Sequence, residues 1–263
     1  MKKENIDLKL FELNKEFKNT KYVEKKDLKN FYLRLNPDLT DQYFRRIMYS
    51  LEKEALISSI GSGVYYFNKD KNSLKKKYHP SPSQSLRILN VNVKESFPYI
   101  KYLVWETRIL NEFMLLQLGQ NHIILDVEKG TENSVFNQLS EAYSGKVFLN
   151  PSRLTMERYV QQLPEAILIS PLISQTPMGK KIEEIPYAPI EKILVDILVD
   201  DKKFFIFRGN ELVSIFNGVF NSYLIDEKSL VRYAGRRKAI NKLKEFVINK
   251  TQVEFNTVNL EKK

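Results

Sequence analysis

An α/β class, α+β overall, follows from three features of this 263-residue sequence. Residues 1–78 repeat apolar side chains at helical spacing and then turn through Gly61-Ser62-Gly63 into a short β-rich run. Beyond residue 88, extended apolar runs alternate with helical patterns, which argues for a mainly parallel sheet covered by helices. From Pro189 onward the pattern is helical. Between the first two regions lies "YHPSPSQSLR", Tyr78 to Arg87, with two prolines and three serines. Proline imposes extended backbone on its neighbours, and no apolar period runs through this segment. The expected organisation is therefore a domain over 1–78, a linker over 79–87 and a larger domain over 88–263. No internal repeat interrupts it.

In the first domain, Ile6, Leu10, Leu13 and Phe17 share one face of a helix, and Leu28, Phe31 and Leu35 share a face of a second that ends before Pro37. A third carries Phe44, Ile47, Met48 and Leu51 at i, i+3, i+4, i+7, with Thr40 as N-cap and Asp41 beside the positive end of the dipole. "LISSI" and "VYYF" then pair across the glycine-flanked tip. Three helices followed by a hairpin predict a winged helix-turn-helix.

In the larger domain, "YLVWE", "HIILDVE", "KVFLN" and "AILISPL" read as strands. Helices are expected through "RILNEFMLLQL", around Phe136, Leu139 and Tyr143, and around Leu154 to Val160. Pro189 suits the first turn of a helix bearing Ile190, Ile193, Leu194, Ile197 and Leu198. Another helix carries Leu212, Ile215, Phe216, Val219 and Phe220, and a basic terminal helix is expected from about Arg236.

Composition narrows the function. There are no cysteines, so disulfides and thiolate metal sites are excluded, in keeping with a cytoplasmic protein. No apolar run approaches a membrane span, and no apolar stretch of a secretory signal follows the first lysines. The net charge is +10, and it is uneven. Residues 1–79 hold 18 Lys/Arg against 11 Asp/Glu, while the remainder holds 24 against 21. Most of the excess therefore sits in the helix-and-hairpin module, which points to a polyanion.

On the third helix, the side opposite the apolar face carries Gln42, Arg46, Tyr49 and Lys53, flanked by Arg45. These donors have the reach for base edges and phosphates in a major groove. Ser62 at the hairpin tip and Lys69 or Lys71 beyond it are placed for the neighbouring backbone, and Lys25, Lys26, Lys29 and Arg34 add to the basic character of the unit. The expected partner is a double-stranded DNA operator, read at inverted repeats by paired copies.

No residue constellation in the sequence makes a convincing active site. The Gly-Ser turn before Asp70 lacks the second acid of a nucleotidyltransferase pattern, because "DKN" follows it. Asp126 and Glu128 point to one side of a strand and form the alternative reading, a metal-dependent nuclease, but Lys129 directly follows Glu128 and is out of register for it. His79 and His122 lack companion ligands at metal spacing. Trp105 reads as core packing. No cofactor, metal or catalytic residue is expected.

The succession "PYAPIEKILVDILVD" (Pro186 to Asp200), "FFIFRGNELVSIF" (Phe204 to Phe216) and "VRYAGRRKAINKL" (Val231 to Leu243) resembles the C-terminal part of AbiEi-type antitoxins. That family is similar in overall organisation as well, with a winged helix before a larger α/β and helical domain. The resemblance implies a type IV antitoxin: a DNA-binding autorepressor of its own operon that counters a nucleotidyltransferase-like toxin, classically without a stable complex. Carried onto this sequence, it implies an antitoxin surface at Arg232, Tyr233, Arg236, Arg237 and Lys238. Proteins of this organisation also act as stand-alone regulators.

Overall fold

The computed structural model describes residues 8–17, 20–54, 56–67, 75–179 and 181–253. It is a mixed α/β chain with two small sheets. It divides into two compact units, the first made of Met1–Lys77 with Ser222–Asp226, the second of Tyr78–Asn221 with Glu227–Lys263.

The first unit runs α1 (Leu10–Glu16), β1 (Tyr22–Glu24), α2 (Lys25–Leu35), α3 (Asp41–Lys53), β2 (Ile57–Gly61) and β3 (Val64–Phe67). The strands form an antiparallel sheet in the order β1-β3-β2. Its core is aromatic: Phe17 packs 5.8 Å from Phe31 and 6.0 Å from Phe67, ring centre to ring centre. The Tyr32 hydroxyl enters this core because it donates to the Leu8 carbonyl at 2.8 Å, so its polar end is satisfied. Thr40 caps α3 as its position suggests, its hydroxyl accepting from the Tyr43 N–H at 3.2 Å. Phe44, Ile47, Met48 and Leu51 are all buried.

Two details depart from the sequence expectation. The hairpin has a third strand, since Tyr22, Val23 and Glu24 pair with Tyr66, Tyr65 and Val64. Leu10 and Leu35 are exposed, while Leu8 and Tyr32 are buried in the core. Ile6, Lys69 and Lys71 lie outside the described residues.

At the hairpin tip Gly61, Ser62 and Gly63 all have positive φ. Gly61 has a further reason to be glycine, because a Cβ there would overlap the Asp226 carboxylate. That carboxylate comes from the Ser222–Asp226 segment, which also hydrogen-bonds Lys76. The Lys76 N–H donates to the Ser222 carbonyl and the Leu224 N–H to the Lys76 carbonyl, both at 2.9 Å.

The second unit contains α4 (Gln84–Ser96), β4 (Tyr102–Glu106), β5 (Ile123–Val127), α5 (Glu132–Ala142), β6 (Val147–Leu149), α6 (Arg153–Arg158) and β7 (Ile167–Pro171). It continues through α7 (Ile190–Val199), α8 (Asn210–Ser222), α9 (Glu227–Arg236) and α10 (Ile240–Lys250). The sheet order is β4-β5-β7-β6. β5 and β6 both run parallel to β7, and β4 is an antiparallel edge against β5. Every residue of β4 and β5 is buried, which explains why both strands read as continuous rather than alternating apolar runs. Trp105 is core, with Phe204 at 5.5 Å.

The supposed linker is largely ordered. Pro80 and Pro82 are buried, and Ser83 caps α4 by accepting from the Leu86 N–H at 3.0 Å. Gln84 to Arg87 are therefore the first turn of a helix that buries Leu86, Leu89 and Val93. After β4 the chain forms a 3-10 helix, Thr107–Phe113, instead of the expected α-helix through "RILNEFMLLQL". Glu211 accepts from the N–H groups of Leu115 and Leu116 at 2.9 and 3.0 Å, and Asn111 bonds Leu118, so these amides are claimed from outside a helix. The terminal basic region is two helices, and the Tyr-Ala-Gly-Arg segment ends α9 rather than starting a helix. No helix among the described residues is long and apolar enough to cross a membrane.

His122, just before β5, is buried with neither ring nitrogen partnered, and burial lowers its pKa from 6.5 to about 4. The folded chain thus refuses a proton that the unfolded chain accepts. Stability from this site is present above the usual histidine value and is lost as pH falls from about 6.5 toward 4, by on the order of 3 kcal/mol. Denaturant unfolding of wild type and His122→Leu across this range is expected to show a shallower pH slope in the variant.

Candidate nucleic-acid interface and a buried ionic centre

Two groups of polar residues stand out, one on the surface of the first unit and one inside the second. On α3, Gln42, Arg45, Arg46, Tyr49 and Lys53 are all exposed while the opposite face fills the core. Tyr49 is 67% exposed, a large ring left in water by a unit whose other aromatic side chains mostly pack. The start of α2 is fastened to the hairpin tip, since the Lys25 N–H donates to the Gly63 carbonyl at 2.8 Å. Lys25 and Ser62 are exposed.

The remaining predicted cations of this unit are partly committed. Lys29 bonds Asp41 at 2.8 Å and holds that carboxyl below its usual pKa, Lys26 lies 3.1 Å from Glu24, and Arg34 lies 2.5 Å from Glu16. Such exposed pairs are worth little and exchange readily with other anions. Arg45 and Arg46 are the two arginines of α3, and both are exposed.

The second group surrounds Lys192 on α7. This helix is buried from Ile190 to Leu198, and Lys192 itself is only 1% exposed. It donates to Asp126 of β5 and, at 2.5 Å, to Asp196 one turn along the same helix. Burial opposes the charge, but the two carboxylates outweigh it and hold the Lys192 pKa above the ordinary lysine value. Asp196 also accepts from the Tyr233 hydroxyl at 2.9 Å and from Arg237 at 2.8 Å. One carboxylate pair therefore ties the sheet to α7 and α9.

Beside this centre is a cavity of about 280 Å³ at the carboxyl ends of β5, β6 and β7. Asp126 and Ser170 reach it from β5 and β7, and Asn150 from the residue after β6. Lys203, which bonds Ser170 at 2.7 Å and Asp200 at 3.1 Å, lines it too.

These positions correct part of the sequence reading. Tyr233 is fully buried and is not a surface residue, because α9 turns Leu230, Tyr233 and Ala234 inward. Arg237 is mostly buried against Asp196 and is likewise a poor surface candidate. Arg232, Arg236 and Lys238 are exposed, with Arg236 donating to Gln175. Asp126 and Glu128 do not share an environment: Asp126 is engaged by Lys192, while Glu128 is exposed and accepts from the Lys101 N–H at 3.3 Å. Among the described residues, no three His, Cys, Asp or Glu side chains form a group that could hold a metal ion. The sequence reading passed over Lys192, Asp196 and Lys203. Its available signal was a lysine and an aspartate four apart inside the otherwise apolar "ILVDILV" helix, where charges need partners.

The chain belongs to DUF6577, a family of unknown function whose model matches residues 43–253. The matched stretch begins inside α3 and includes the whole ionic centre. No curated protein matches the chain.

Removing one member of a buried ion network leaves the others uncompensated, at a cost of about 3–5 kcal/mol. Lys192→Met is expected to lose stability on that scale in denaturant titration. Exposed Lys202→Met, on the same side of the sequence, is expected to change it by less than about 0.5 kcal/mol.

Proposed function

We propose that the protein is a DNA-binding transcriptional regulator without catalytic activity, its first unit being a winged helix-turn-helix. The observation that carries the reading is α3, with a fully used apolar face and an exposed face bearing Gln42, Arg45, Arg46, Tyr49 and Lys53. The order helix, strand, helix, helix, strand, strand around a three-stranded antiparallel sheet supports it. In such a module the third helix enters the major groove while the hairpin β2–β3 meets the adjacent backbone. Exposed amides at the Ser62 tip and the side chain of Lys25 suit phosphates. Affinity then comes mainly from counterion release and falls steeply with salt.

The resemblance of the last third to AbiEi-type antitoxins supports a narrower form of the proposal. The regulator would bind inverted repeats upstream of its own operon and act as a cytoplasmic antitoxin against a nucleotidyltransferase-like toxin. With Tyr233 and Arg237 committed to the interior, the exposed residues left for that role are Arg232, Arg236 and Lys238.

Each part has its own test. A gel shift with DNA from the protein's own upstream region, at fixed salt, is expected to show binding that Arg45→Ala/Arg46→Ala reduces by at least about tenfold, with circular dichroism unchanged. Equal binding by the double variant would remove α3 as the reader. Co-expression with a nucleotidyltransferase-type toxin encoded beside the gene is expected to restore growth, and Arg232→Ala/Arg236→Ala/Lys238→Ala is expected to lose that rescue while keeping DNA binding. Full rescue by the triple variant would place neutralisation elsewhere.

A further inference from the structure

We propose that the cavity at the carboxyl ends of β5, β6 and β7 binds a small organic oxyanion that also carries a hydroxyl or amino donor. The position is the one where sheets with parallel strands receive ligands, because the loops after the strands diverge there. Its volume of about 280 Å³ is close to the lower end of small-molecule sites.

The ligand class follows from hydrogen-bonding capacity that the protein leaves unspent. The Asp126 side chain is 9% exposed. One of its oxygens takes Lys192, and the other has no donor among the described residues, although an ionised carboxylate accepts at both. That oxygen lies on the cavity wall and is open to a donor from whatever occupies the cavity. The other polar groups are donors with capacity to spare. Lys203 commits two of its three N–H bonds, to Ser170 and Asp200, and the Ser170 hydroxyl, having accepted from Lys203, keeps its own hydrogen. Arg237 commits one Nη1–H to Asp196 and retains other guanidinium donors. Ile173 and Phe204 add apolar wall.

Charge decides against simpler occupants. Asp126, Asp196 and Asp200 are balanced by Lys192, Lys203 and Arg237, so the surroundings are neutral in sum. A bare divalent cation meets three fixed positive charges, and a bare anion meets three negative ones. A molecule with an oxyanion head for Lys203, Arg237 and Ser170 and a donor for Asp126 meets neither difficulty. The head can be a carboxylate, as in 2-hydroxy and 2-amino acids, or a phosphate, as in nucleoside monophosphates.

Thermal unfolding and calorimetric titration of the full-length chain separate these sources. One arm uses L-serine, glycine and L-lactate, the other inorganic phosphate and the four ribonucleoside 5′-monophosphates, each from micromolar to 10 mM, taken as roughly the practical upper end for weak small-molecule sites. A ligand that binds only the folded chain raises the midpoint in proportion to the logarithm of its concentration above Kd. The expected result is a saturable shift on one arm. Lys203→Gln, which removes one charged donor from a partly exposed position, is expected to weaken it about tenfold or more. Asp126→Asn tests the acceptor. Should that variant fail to fold because Lys192 loses its partner, Lys203→Gln and Ser170→Ala still decide the matter. Absence of a saturable shift with every probe, or equal affinity in wild type, Lys203→Gln and Ser170→Ala, overturns the proposal. The readout involves no DNA, so its failure is distinct from failure of the α3 reading.

Discussion

Lys192 is a fully buried ammonium, and the second unit is arranged so that it can remain charged there. Transferring such an ion out of water costs several kcal/mol even after relaxation, and good geometry is needed to offset it. The geometry comes from three places: Asp126 on a central strand, Asp196 one turn along α7, and Tyr233 with Arg237 from α9 and its end completing Asp196. An apolar helix such as Ile190–Val199 can slide or rotate on an apolar sheet at modest cost. A charged network fixed to single atoms cannot. The ionic centre therefore holds α7 and α9 to the sheet through bonds between single atoms, and loss of any one partner leaves a buried charge uncompensated.

The first unit solves the opposite problem. Its interior is built from aromatic rings and aliphatic side chains, with Tyr32 the polar group it must satisfy, and its charges lie outside. Arginines, lysines and the Tyr49 ring thus stand on its surface, where an exchange of partners leaves the core undisturbed. The two units thus differ in their interiors: the first keeps charge out of its core, and the second builds an ion network into it.

Much of this was legible where the chain follows local rules. Thr40 capping, the Phe44–Leu51 face and the strands around Trp105, Leu125 and Leu168 all express themselves within a few neighbouring residues. The missed features depend on distant residues. Glu211 draws the amides of Leu115 and Leu116 out of any helix from nearly a hundred positions away. Pro80 and Pro82 looked like a linker because their burial is supplied by other parts of the fold. Arg237 and Tyr233 are surface residues only by the antitoxin resemblance, and nothing in their own stretch signals the aspartate that buries them, 37 positions earlier in the case of Tyr233. The ionic centre itself was hidden for the same reason: Asp126 and Lys192 are 66 residues apart.

The return of Ser222–Asp226 to the first unit changes what counts as its boundary. The front module is not a continuous stretch of chain: Lys76 completes its backbone bonding with Ser222 and Leu224, and the hollow at Gly61 is shaped to the Asp226 side chain. Excising residues 1–77 would strip away a strip of its own surface and uncover the flank of the hairpin. Transplanting the module onto another protein would need that five-residue strap supplied in trans or grafted on. Evolution faces the same restriction, since the gene for the front piece cannot be shuffled away intact from the rear.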